Sequence, residues 1–319
     1  MKGVVWFFIH NNMDKISVII PVFNEEEVIE ECYKRVVGVV KKYKYELCFV
    51  NDGSKDSTLE KLRKIASSDR GVKVVSFSRN FGHQAALSAG LKVVTGDAII
   101  ILDADMQDPP ELIPKMIDLW KAGNDVVYGK RKTRQGETVF KLMTASMFYK
   151  VLNKLSDVDV PKDTGDFRLV DRKIVDTINL MPEHNKFYRG LWSWCGYKQT
   201  AIEYERQERF AGKTKYPLSK MLKLAKDGII GFSKKPLQVM GVIGLFSIFI
   251  SFVVLVYSII SFIFKLNHLA AGWTSIMVAI TFFAGVQLLA LWIISEYIGR
   301  IYDESNRRPE YIIEEIINK

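Results

Sequence analysis

The sequence predicts an α/β fold: a mostly parallel sheet domain followed by a C-terminal two-helix transmembrane hairpin. Three observations carry this. Short apolar runs of strand length alternate with helical stretches from Lys15 to about Tyr128, the pattern of right-handed βαβ units. A polar turn follows each of the first five runs, so all five turns share one rim, the rim where open α/β sheets bind ligands. Two charge-free segments, Leu237 to Phe264 and Trp273 to Ile294, come later, and each exceeds the ~20 residues needed to cross a bilayer.

Lys15 to Phe23 (KISVIIPVF) reads as the first strand, ending at Asn24. Glu25 to Lys42 has acidic residues first and lysines last, the charge order a helix dipole favours. Tyr45 to Val50 is the second strand, and Asn51-Asp52-Gly53-Ser54 turns into a helix from about Asp56. Val72 to Phe77 is the third strand, with a helix from Gly82 to Val94 after it. Ala98 to Leu102 is the fourth, then a helix from Pro110 to Lys121, and Asp125 to Tyr128 is the fifth. The fourth strand organises the rest. Its five apolar residues suit burial on both faces, and it stops abruptly at Asp103-Ala104-Asp105. Two carboxylates so placed repel each other unless a cation neutralises them. Mg²⁺ or Mn²⁺ on a nucleotide pyrophosphate would do so, since both ions prefer oxygen ligands.

Residues 137–155 form an amphipathic segment that reads equally as a helix on the sheet or on a membrane surface. Asp163 to Val170 (DTGDFRLV) is a polar turn entering a strand, and Pro217 to Lys235 is a second, lysine-rich amphipathic stretch. The link Lys265 to Gly272 is too short for a domain, so the apolar segments form a hairpin. Its outer flanks carry Lys220, Lys223, Lys226, Lys234, Lys235, Arg300, Arg307 and Arg308, against Lys265 alone in the link. The positive-inside rule therefore puts both flanks and the α/β domain in the cytoplasm. The expected organisation is an N-terminal extension (1–13), an α/β domain (14–216), an amphipathic juxtamembrane segment (217–235), two transmembrane helices (236–299) and a cytoplasmic tail (300–319).

The net charge of +9 is compatible with nucleic acid, anionic lipid or a phosphorylated substrate. Its distribution decides: basic residues crowd into Arg206–Lys235, directly before the apolar stretch, without a nucleic-acid-binding motif. Such a juxtamembrane basic cluster reads as an anionic-leaflet contact. Three cysteines without a C-x-x-C argue against a disulfide framework or zinc site, and the four histidines lack metal-type spacing.

Pro21-Val22-Phe23-Asn24-Glu25-Glu26, then Asn51-Asp52-Gly53-Ser54 with Asp56 and Thr58, then Asp103-x-Asp105-x-Gln107-Asp108-Pro109-Pro110 resemble the family-2 inverting glycosyltransferases of GT-A (Rossmann-like) fold. Ser78–Gln84 (SRNFGHQ), Thr164–Leu169 (TGDFRL) and the paired apolar helices narrow the resemblance to the polyisoprenyl-phosphate glycosyltransferases, the group of dolichol-phosphate mannose synthase and the bactoprenol glucosyltransferases. The Q-x-x-R-W motif of polymer-making relatives is missing.

The resemblance implies residue roles. Pro21, Asn24, Glu25, Asp52 and Asp103 would hold the nucleotide sugar, and Asp103, Asp105 and Gln107 a Mg²⁺ or Mn²⁺ ion with the pyrophosphate. Arg131, Arg209 and Lys215 would bind the acceptor phosphate, and Asp166 would stand beside the reacting centre as a catalytic or sugar-orienting group, with Asp105 and Arg131 serving turnover too. The implied activity is transfer of one hexose, UDP-glucose being the first-choice donor, to a polyprenyl (undecaprenyl) phosphate at the cytoplasmic membrane. A processive polysaccharide synthase and an inactive scaffold or nucleotide-sugar sensor are the alternatives. The sequence leaves a homo-oligomer open.

Overall fold

The computed structural model describes residues 14–132, 161, 164–183, 186–205, 230, 233, 235–264 and 273–318. The extension 1–13, the amphipathic segment 137–155, nearly all of 217–235, and both Arg209 and Lys215 lie outside these residues. The chain divides into two compact units, one of Met1–Tyr149, Val158–Met221 and Pro309–Lys319, the other of Lys150–Asp157 and Leu222–Arg308.

The first unit is built on an eight-stranded sheet. Its strands are β1 (Lys15–Val22), β2 (Lys44–Asn51), β3 (Val72–Phe77), β4 (Ala98–Ile101), β5 (Val126–Arg131), β6 (Thr164–Asp171), β7 (Gln199–Tyr204) and β8 (Ile313–Ile317), in the order β7-β5-β6-β4-β1-β2-β3-β8. Strands β3, β2, β1 and β4 pair in parallel, as the βαβ alternation requires. Helices α1 (Ile29–Val40), α2 (Thr58–Ser68), α3 (His83–Val93), α4 (Ile113–Lys121, after a 3₁₀ turn at Pro110–Leu112), α5 (Arg172–Asn179) and α6 (Tyr188–Trp194) complete the unit.

Packing follows periodicity. Helix α1 buries Ile29, Cys32, Val36 and Val40, one stripe at helical spacing. They join the sheet face of Ile16, Val18, Ile20 and Val22 together with Leu62 of α2 and Met116 of α4. Helix α3 lies on β1 so closely that a Cβ on Gly90 would stand 2.5 Å from Ile19 Cγ2. Glycine is what this approach requires.

Two strands run against the rest. Strand β6 inserts antiparallel between β4 and β5, and β8 adds antiparallel to β3. The polar residues 164–166 thus belong to a strand, not a turn before one. Its antiparallel sense brings the amino end of β6 to the rim where β4 ends. Strand β5 also runs to Arg131, three residues past the expected end, because its parallel pairing with β7 continues to Arg131 opposite Tyr204.

The second unit contains α7 (Lys235–Ile263) and α8 (Trp273–Ser305). The stretches Lys235–Val253 and Ala279–Ser305 have mean hydropathies of 2.0 and 1.7 and are long and apolar enough to cross a membrane. Side chains such as Leu245, Phe246, Ile248, Phe282 and Leu288 are more than half exposed. Helices this apolar need a nonpolar surrounding.

Candidate active site

The carboxyl ends of β1–β5 and the amino end of β6 carry the functional candidates. At the end of β1, Pro21 is paired with Val50 of β2 and Asn24 takes a left-handed φ of 52°. The loops after β1 and β2 are laced together. Asn24 N donates to Ser54 Oγ at 3.0 Å, Lys55 N to Asn24 Oδ1 at 2.9 Å and Glu25 N to Thr58 Oγ1 at 2.9 Å. Ser57 donates to Glu26 Oε2 from both its amide and its hydroxyl, at 3.0 and 2.6 Å.

Asp52 ties these loops to the next one. It is 4% exposed, and its carboxylate accepts from Phe81 N at 2.6 Å and from Gly82 N at 3.0 Å. Burial raises its pKa, against the pull of those amides. Gly53, at φ +66°, lets the chain pass there: a Cβ would stand 2.4 Å from the Arg79 carbonyl carbon. Asp52 therefore shapes the β3–α3 loop with its side chain.

That loop delivers His83, the first residue of α3. His83 Nε2 lies 3.3 Å from Asp166 Oδ2 and 3.9 Å from Asp103 Oδ1. Register explains the meeting. Ile101 of β4 pairs with Arg168 of β6, so two residues further along Asp103 and Asp166 stand level on antiparallel neighbours. Burial alone would raise the Asp166 carboxyl, but Arg189 and His83 hold it well below the usual range. Arg189, from α6, grips it with a fork, Nε to Oδ1 at 2.8 Å and Nη2 to Oδ2 at 3.0 Å. The bidentate geometry is the strong form of this pair.

Asp103 is in the opposite condition. Burial pushes it up to about 6, His83 pulls the other way, and the carboxylates of Asp166, Asp108 and Asp105 add to the rise. His83 is itself raised: burial lowers it, but Asp166 and Asp103 outweigh that. In the same loop Gln107 N donates to Asp105 Oδ1 at 3.2 Å.

Arg131 occupies the other side of β6. Its Nη2 lies 3.8 Å from Asp108 Oδ1 and its Nε donates to Tyr204 Oη at 3.3 Å. Tyr204 Oη in turn donates to Asp108 Oδ1. A Cβ on Gly165 would stand 2.8 Å from Arg131 Nη2, so the guanidinium end occupies the space that this glycine, next to Asp166, leaves open. Asp103, Asp105, Asp166 and Arg131 are thus brought to one place. Asn24, Glu25 and Asp52 form a neighbouring group of laced loops.

Sequence reasoning missed Arg189, His83, Asp108 and Tyr204 as site residues. His83 and Asp108 lie inside the quoted motifs and could have been found there. Arg189 and Tyr204 sit in stretches with no local signature.

The donor set suits a divalent ion completed by a ligand. Among the described residues no group of three or more His, Cys, Asp or Glu side chains is placed to hold a metal. Mg²⁺ and Mn²⁺ sites on phosphorylated substrates typically take one or two carboxylates and fill the remainder with phosphate oxygens and water. Asp103, raised by burial and by the carboxylates around it, is the kind of group a cation would relieve.

The sequence is similar to known proteins along most of its length. The description "Glycosyl transferase family 2" matches residues 17–178. The chain is 52% identical over 302 residues to the Bacillus subtilis (strain 168) protein named "Uncharacterized glycosyltransferase YkcC", covering 93% of each. It is 46% identical over 301 residues to the "Bactoprenol glucosyl transferase" of Shigella phage SfV, covering 94% of this chain and 98% of that one. A solved glucosyl-3-phosphoglycerate synthase from Mycobacterium tuberculosis, in complex with Mn²⁺, UDP-glucose and phosphoglyceric acid, overlaps 68% of this chain and 78% of its own at 20% identity, with a TM-score of 0.46.

Proposed function

The chain belongs to glycosyl transferase family 2, and on that premise we propose that it transfers one hexose, with inversion, from a nucleotide sugar to a polyprenyl phosphate at the cytoplasmic face of a membrane. Glucose from UDP-glucose to undecaprenyl phosphate is the specific form, supported by full-length similarity to a protein named bactoprenol glucosyl transferase. The observation that carries the reading is the carboxyl rim, where antiparallel β4 and β6 set Asp103 and Asp166 level on either side of His83, with Asp105 in the same loop as Asp103.

Asp103, Asp105 and Gln107 would hold Mg²⁺ or Mn²⁺ with the donor pyrophosphate. Such an ion supplies charge stabilisation to the departing nucleoside diphosphate. Asn24 and Glu25, with Pro21 and Asp52 shaping the loops beneath, would border the nucleoside. Arg189 grips both oxygens of Asp166 and, with His83, holds its carboxyl well below the usual range, which suits a group that orients sugar hydroxyls better than one that takes a proton. The acceptor supports the same division of labour. A phosphate monoester with a second pKa of about 6 is already a dianion at neutral pH, so its oxygen attacks the anomeric carbon without a general base. It requires cationic placement instead, and Arg131, fixed by Asp108 and Tyr204, is the described residue for that.

Chain connectivity supports the membrane side of the proposal. Strand β8 follows α8 yet belongs to the sheet whose other strands precede α7. The basic residues after the second apolar helix, Arg300, Arg307 and Arg308, support a cytoplasmic end for that helix by the positive-inside rule.

The test is release of nucleoside diphosphate by purified protein in lipid nanodiscs, with a panel of nucleotide sugars. UDP release from UDP-glucose that requires added undecaprenyl phosphate is the expected result. No lipid-dependent release with any donor in the panel would overturn the reading.

A further inference from the structure

The last ten described residues tie the end of the chain to the part of the rim that presents His83. Tyr311 stacks on Phe77 of β3, centroids 5.0 Å apart and planes 13° from parallel. Phe77 meets Phe81 edge-on at 5.7 Å, and Phe81 N is the closest donor to Asp52. Ser78 N, first residue of the β3–α3 loop, donates to Ile312 O at 3.1 Å. Glu310 Oε2 accepts from the fully buried Ser88 Oγ of α3 at 2.6 Å, and Lys92 lies over the Tyr311 ring. Helix α3 also contacts the segment behind Asp166: Gln84 Oε1 accepts from Tyr188 N at 3.2 Å, and the residue after Tyr188 is Arg189.

From that rim β8 runs antiparallel to β3, with Ile313 opposite Phe77 and Ile317 opposite Val74. At its far end Asn318 Nδ2 donates to the carbonyls of Ala66 and Val72, at 2.6 and 2.9 Å. Arg63 pairs with Glu315 between these ends. One segment therefore has a rim end, at Glu310–Ile312, and an anchoring end, at Asn318.

We propose that residues 309–318 are a positioning strap for the donor site. The rim end fixes the Ser78–His83 loop through the Tyr311–Phe77–Phe81 stack and fixes the start of α3 through Glu310 and Ser88. Asn318 fastens the strap without touching the site. Tyr311 and Glu310 act through Phe81, Asp52 and His83 and touch neither substrate nor reacting atoms. This rests on the transferase reading for the identity of the donor as a nucleoside diphosphate sugar. Stacking is the main device: an aromatic pair contributes beyond its buried area and sets ring orientation.

The experiment measures UDP binding to the full-length protein in detergent by calorimetry in the presence of Mn²⁺, with GDP as a second probe, alongside thermal unfolding. Tyr311→Ala is expected to weaken UDP binding about 5- to 20-fold, and Tyr311→Phe, which keeps the ring, to stay within about twofold of the parent. Asn318→Ala, which removes the remote anchor, should lower the unfolding temperature at least as much as Tyr311→Ala, yet leave UDP affinity within about twofold. Equal loss of binding in Tyr311→Ala and Asn318→Ala would overturn the proposal by showing that stability alone is at work. Unchanged binding in Tyr311→Ala would overturn it directly. A parent protein that binds neither UDP nor GDP would overturn the transferase reading instead, so the two failures are distinct.

Discussion

At the amino ends of β1–β3, Glu46 is a carboxylate only 7% exposed, yet it lacks nothing. It accepts from Ser17 Oγ at 2.8 Å and Thr95 N at 2.9 Å, with Lys15 Nζ at 3.3 Å and Lys73 Nζ at 3.2 Å. Burial would raise it, but these partners hold it at about 2. At the carboxyl ends, burial raises Asp103 to about 6, with other carboxylates at its side and the His83 imidazole 3.9 Å away. One sheet thus handles acids in two ways. The amino rim is complete in the free protein, while the carboxyl rim gathers negative charge that an incoming cation would balance. The arginines of the carboxyl rim do not remove the difference, because Arg189 is engaged with Asp166 and Arg131 with Asp108.

The largest effects should come from neutralising the carboxyl rim. Asp105→Ala is expected to lower turnover by roughly 10³-fold or more, the size of a lost metal contribution to the leaving group. Asp103→Asn should do the same while the unfolding temperature of the free protein stays level or rises, since it removes a carboxylate that burial and its neighbours disfavour. Lipid-dependent release of nucleoside diphosphate and thermal unfolding, measured on the same preparations, check both. A marked fall in stability from Asp103→Asn would mean that this rim is as complete as the other.

Changes at the arginines sharpen the contrast. Arg189→Ala leaves Asp166 buried without its fork, and removing one partner of such a pair costs about 3–5 kcal/mol. Turnover should fall roughly 10- to 100-fold, and Arg189→Lys should recover only part of it, because an ammonium cannot replace two parallel bonds. Arg131→Ala should instead raise the apparent KM for lipid phosphate, with nucleotide-sugar binding nearly unchanged. The reverse outcome, lost donor binding with normal acceptor kinetics, would put Arg131 on the donor.

These residues also mark what was legible in the sequence. Strands β1–β4 announce themselves because buried parallel strands must be apolar on both faces, and Asp103 and Asp105 stand out because an apolar run stops at them. Strands β7 (QTAIEY) and β8 (IEEII) are edge strands whose alternation is short and polar, so nothing local separates them from loop or tail. The first residues of β6 are polar because they build the site, and that polarity hides the strand. Arg189 and Tyr204 could not be read at all. Tertiary folding alone brings them to their partners, Arg189 from helix α6 to Asp166, 23 residues away, and Tyr204 from β7 to Asp108, 96 residues away.

The smallest effect on chemistry and a clear one on stability belong to the amino rim. The folded pKa of Glu46 is about 2, against an ordinary value of 4.5. A depressed carboxyl stabilises the fold fully above its unfolded pKa, and the contribution disappears as pH falls through its folded pKa. The loss should therefore occur between about pH 4.5 and 2, and amount to roughly 1–3 kcal/mol. Glu46→Gln should remove that part of the acid dependence, lower stability near neutral pH by a similar amount, and leave lipid-dependent turnover within about twofold. Lys73 and Lys15 would then sit beside a neutral amide, and their mutual repulsion would appear as lower stability at low salt. Chemical denaturation of the parent and the Glu46→Gln variant at pH 7, 4 and 2.5 measures the difference. If the two curves stayed parallel across that range, Glu46 would not be the compensated carboxylate that the amino rim requires, and the contrast between the two ends of the sheet would rest on Asp103 alone.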